Sequence, residues 1–320
     1  MPTTESAMSH ALTQFRHQMS TANRHFLLDR VHEIQSLHLP TEAANLHHMR
    51  RYWPSLGRGG QETYWNRTVA PEPVREDREV RSVTRLADVP GLYHQYMDGV
   101  CPPRLRTEEW RRMYLAVVAE VCAEVVAEDG QDGEDGIPPC EELGLFLKYA
   151  NGVQDPDFRR SGIAPFLPGF FVGVAEYAFP DEAAGQGGSA RMEIEGQRGL
   201  LKGYLEESLL GRVGLHGMID EDLEVKVGFL TGTGGWGHED RWYSAYTYCR
   251  RREDDAADTH QTDFAWRVLF FEASDDDTPA TLNGRRPLFD SIPEFLDWYG
   301  SWFDYIDMDE VRREIDELNA

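Results

Sequence analysis

Three apolar runs set the terms on which this chain can fold. Residues 224–230 (EVKVGFL), 241–250 (RWYSAYTYCR) and 264–271 (FAWRVLFF) are aromatic and β-branched, as strands require. The connectors between them, TGTGGWGHED and REDDAADTHQTD, are short and turn-like. A parallel crossover normally needs a helix, so short connectors make consecutive strands antiparallel neighbours. A meander is therefore expected, and the other elements must be fitted around it. Residues 166–179 (FLPGFFVGVAEYAF) also read as strand and turn, whereas residues 180–224 mix Gly-rich and acidic breaks and show no usable period.

Helical patterns flank these runs. Thr107 is a plausible N-cap, with Glu108 and Glu109 in the first turn where the helix dipole favours them. Trp110, Met113, Tyr114, Val117, Val118, Val121, Cys122, Val125 and Val126 then form an unbroken apolar stripe, which marks a core helix. It ends in the acidic loop EDGQDGEDG, where Pro139 stands in place of the final Glu of an EF-hand. In residues 137–152 (IPPCEELGLFLKYANG), Leu143, Phe146, Leu147 and Ala150 share one face. Pro139 fits the first helical turn, and Gly152 fits a left-handed C-cap. Residues 289–305 (FDSIPEFLDWYGSWFDY) read as an aromatic helix, followed by an amphipathic turn with Met308, Val311, Ile315 and Leu318 on one face.

The N-terminus reads as one long helix over 3–39, stopping before Pro40. Met8, Leu12, Phe15, Met19, Ala22 and Phe26 alternate steps of four and three, Asp29 interrupts them, and Leu27, Val31 and Ile34 continue a shifted stripe. Such a seam needs a partner helix. Packing within the same chain is the favoured partner, and a homodimer through residues 8–34 is the alternative. His10, His17, His25 and His32 roughly follow one face, but metal binding would favour an i, i+4 pair with a nearby carboxylate. Residues 54–106, rich in Pro and Gly, read as an irregular arm. The expected division is 1–53 helical extension, 54–106 arm, 107–306 α+β domain and 307–320 C-terminal helix.

Charge is the property with most functional content. The net charge is −24, yet residues 1–106 hold 13 Lys+Arg against 11 Asp+Glu, and residues 107–320 hold 19 against 45. A field of that sign repels nucleic acid and anionic membranes and favours a basic protein partner. The same field also serves simply as a solubilising surface. No run of eighteen apolar residues occurs and no leader pattern is present, so a cytoplasmic protein is expected. Four dispersed cysteines read as free thiols rather than a disulfide frame or zinc site.

Reactive signatures are missing. The glycine cluster GTGGWG at 232–237 follows a strand, but neither a helix nor Lys-Ser/Thr follows it, so it reads as a tight turn. His238, Glu239 and Asp240 are adjacent and so do not share a face. No GxSxG, HExxH or paired-cysteine pattern is present, so no cofactor or metal is expected.

The order of elements resembles the SUKH superfamily, which includes the fungal Knr/Smi-type cell-wall assembly regulators and many bacterial immunity proteins. The resemblance rests on the core helix, the loop with Pro138 and Pro139, and the helix bearing Leu143, Phe146 and Leu147 that closes at Asn151-Gly152. It extends to Gly234-Gly235, the Trp266-centred strand, and Phe295 and Leu296 in the closing helix. It covers about residues 107–306 and departs from the family in its double proline and long 153–223 segment. It implies an α+β fold, a central antiparallel sheet flanked by helices, with partners bound through the sheet and its loops and no catalysis. The expected function is thus a regulatory protein-interaction module. An immunity-type inhibitor of a toxin such as a nuclease is the first alternative, and a hydrolase with a pocket near His238 the second.

Overall fold

A computed structural model describes residues 3–51, 85–91, 98–103, 105, 107–128, 136–154, 169–170, 190–210, 223–236, 240–251, 261–273, 279–280 and 288–301. In chain order the elements are α1 (Glu5–Ser36), α2 (Glu42–Arg51), a 3₁₀ turn (Leu86–Gly91), β1 (Val100–Cys101), α3 (Glu108–Glu128), α4 (Glu141–Tyr149) and β2 (Gly152–Val153). There follow α5 (Ala190–Glu207), β3 (Leu223–Trp236), β4 (Asp240–Arg251), β5 (Ala265–Ala273), β6 (Pro279–Ala280), β7 (Leu288–Phe289) and α6 (Ile292–Ser301). The fold class is α+β. Two compact units arise from separated stretches: Met1–Leu12, Cys101–Gln154 and Leu167–Leu296 form the first, and Thr13–Val100, Asp155–Phe166 and Asp297–Ala320 the second.

The first unit is built on the antiparallel meander. Strands β3, β4 and β5 lie side by side, β6 extends the order, and β7 pairs with β5 beside Val268 and Leu269. Phe229, Tyr246, Val268 and Phe270 occupy one face, against Phe146 of α4, Phe170 and Phe295 of α6. Phe170 sits at the junction, its ring 5.5 Å from Phe146, 5.4 Å from Phe295 and 6.1 Å from Tyr246. Leu210, Leu223, Tyr243, Ala245, Cys249, Leu269, Phe271 and Leu288 form a second buried cluster on the other face. With both faces covered, the strands read as continuous apolar runs rather than alternating ones.

Local chemistry explains the helix starts. The Thr107 hydroxyl accepts from Trp110 N–H at 3.3 Å, and along α3 Met113, Tyr114, Val117, Val118, Val121 and Cys122 are buried. Ser291 and Glu294 work as a near capping box for α6: Glu294 N–H donates to Ser291 Oγ, while the Glu294 carboxylate accepts from Asp290 N–H. In the second unit, Phe15 of α1 stacks on Tyr299 at 5.7 Å, and Gln14 donates to Asp297. Part of the N-terminal seam thus finds its partner within the chain. Leu46 and Met49 of α2 and Leu86 are also buried there.

Several sequence readings change. Helix α4 begins at Glu141, so Pro139 lies before the first turn, where its carbonyl accepts from Glu141 N–H at 3.0 Å. Gly152 is no left-handed cap: the C-cap is Ala150 in extended geometry (φ −146°), and Gly152 opens β2. The chain leaves the helix directly into pairing, with Asn151 N–H donating to the Cys101 carbonyl, so no reversal is needed. Gly232–Trp236 of the glycine cluster are not a tight turn but the end of β3, paired with Asp240–Ser244 of β4. Gly232 is required by close approach, because a Cβ there would lie 2.0 Å from the Gly169 carbonyl oxygen.

Helix α5 falls in a stretch whose sequence shows no usable period. Its Leu201 and Leu205 are buried at helical spacing, yet Gly196, Gly199 and Gly203 interrupt it. Each glycine lowers helix propensity by about 1 kcal/mol relative to Ala. Packing against α3 compensates, supported by Lys202 on Glu120 (2.8 Å) and Glu124 (2.7 Å) and by Arg198 on Glu120. The 54–84 part of the arm, the acidic loop at 129–135, His238, Glu239 and the turn at 308–318 lie outside the described residues.

Candidate functional site

Among the described residues of the first unit, a buried polar cluster lies where β4 and β5 meet the segment leading into α6. Residues Thr247, Cys249 and Arg251 alternate along β4, and Arg267 of β5 pairs opposite Thr247. The Arg267 guanidinium is 4% exposed. It donates through Nε to Asp290 Oδ1 at 2.8 Å, and through Nη1 to the carbonyls of Cys249 and Asp263. Gln261 bridges the second arginine. Its Oε1 accepts from Arg251 Nε at 2.9 Å, and its Nε2 donates to the Leu288 carbonyl and Asp290 Oδ1, both at 3.1 Å. Main-chain pairing of Arg251 N–H to the Gln261 carbonyl at 2.8 Å holds this arrangement in register.

The thiol in this cluster is not a poised nucleophile. Burial pushes Cys249 up, an effect only partly countered by the Thr247 hydroxyl at 3.1 Å and the two nearby guanidiniums. Thiols elsewhere follow the same rule: burial raises Cys122 to about 12, and raises Cys140 further. Burial likewise raises Tyr114 and Tyr246. All five groups are therefore neutral near pH 7. Among the described residues no three His, Cys, Asp or Glu side chains gather as a metal site, and no helix is long and apolar enough to cross a membrane.

On the opposite face, the sheet carries a half-buried aromatic strip. Trp266 stacks on Tyr246 (5.0 Å, 11°) and tilts against Tyr248 (5.6 Å), which stacks on Phe264. Lys226 and Arg250 both lie over the Phe264 ring, at 4.5 and 4.6 Å, and Arg250 also pairs with Glu224. The indole N–H of Trp266 donates to the Pro138 carbonyl.

The residues carrying the family resemblance fall into two groups. Leu143, Phe146, Leu147, Phe295 and Leu296 are buried in the first unit, with Asn151 and Gly152 buried at the exit of α4. Pro138 meets Trp266 directly, whereas Pro139 serves the start of α4. Gly234 and Gly235 pair with Trp242 and Arg241, at the far end of the strands from Trp266. The Arg251–Gln261–Asp290–Arg267 network was missed by sequence reading; its one signal is an arginine amid the apolar run FAWRVLFF. No protein-family model matches the chain, and neither a curated protein nor a solved structure matches it.

Proposed function

We propose that this chain is a non-catalytic protein-interaction module of the SUKH type, regulatory in role, that presents an acidic surface to a basic partner. The observation that carries the reading is charge: residues 107–320 hold 19 Lys+Arg against 45 Asp+Glu. Many of the cations there are already engaged. Lys148 pairs with Glu5, Arg111 and Arg112 with Glu108, Lys202 and Arg198 with Glu120, Arg250 with Glu224, and Arg267 with Asp290. The acidic surplus is the charge we assign to partner recognition, since a net negative field accelerates encounter with basic surfaces.

Affinity purification of the full chain at stepped salt tests this. Recovered partners should be basic and should be lost as ionic strength rises above about 0.15 M, where the Debye length falls below about 8 Å. Recovery unaffected by salt would remove the electrostatic part of the reading. The same acidity suits an immunity-type inhibitor that mimics a nucleic-acid backbone. Co-purification of a nuclease whose activity the chain abolishes would select that role over a regulatory one.

A further inference from the structure

We draw no further inference here: the strongest candidate, the half-buried aromatic strip that Tyr248, Phe264 and Trp266 form on one face of the sheet, carries nothing because nothing in the structure shows what covers it.

Discussion

Trp266 Nε1–H donates to the carbonyl of Pro138 at 2.9 Å, which ties the segment before α4 to the central strand of the sheet. The bond uses the one polar atom of the indole while its ring stacks on Tyr246. Replacing Trp266 with Phe keeps an aromatic ring but removes the donor and part of the stacked area. Loss of about 1–3 kcal/mol is expected in urea unfolding, the usual cost of stranding one acceptor and thinning a stack.

Phe146 is fully buried beneath Phe170. Phe146→Ala should cost about 3–5 kcal/mol, the range for emptying a buried aromatic site. A soluble variant with unchanged denaturant midpoint would show that α4 is not anchored through this ring.

Two glycine substitutions should act in opposite directions. Gly199 sits in α5 with open space, nothing within 4 Å, where an alanine methyl would stand. Gly199→Ala should therefore stabilise by about 0.4–1 kcal/mol through helix propensity. At Gly232 the same methyl would lie 2.0 Å from the Gly169 carbonyl oxygen. Gly232→Ala must push main chain aside and should destabilise by at least about 1–3 kcal/mol. Paired chevron or melting measurements on the two variants read the contrast directly.

Glu142 is the carboxylate on which pH should act with an unusual sign. Burial raises it above the ordinary 4.5, outweighing hydrogen bonds from Thr3 and the Ile292 N–H. A raised folded-state value means stability is greatest below the ordinary range and is lost as pH climbs through the raised value. Glu142→Gln keeps an acceptor and removes the buried charge. The variant should match the wild type near pH 4 and become the more stable of the two by about pH 7. Equal stability across that window would mean the carboxylate is solvated.

Much of the architecture was legible because it follows from local rules. The meander could be read from three β-branched, aromatic runs with short connectors, and β3, β4 and β5 pair as that reading requires. Thr107 caps α3, and the apolar stripe after it is buried, because capping and periodicity depend on neighbours in sequence. Helix α5 was hidden because its glycines cancel the propensity signal, and only packing against α3 restores it.

The sequence by itself determined the three central runs of the meander, the one-sided burial of α3 and α4, and that the C-terminal two-thirds is strongly acidic. Tertiary structure alone decided that Gly232–Trp236 is strand rather than turn, since the constraint on Gly232 is the backbone of Gly169, far away along the chain. It also decided that Arg251 meets Gln261, that Arg267 meets Asp290 and that Gln261 donates to Asp290 between them, a convergence of strands and a loop that no local pattern encodes. Periodicity reports the side of an element a residue occupies. What meets that side is settled only when distant segments compete to bury it.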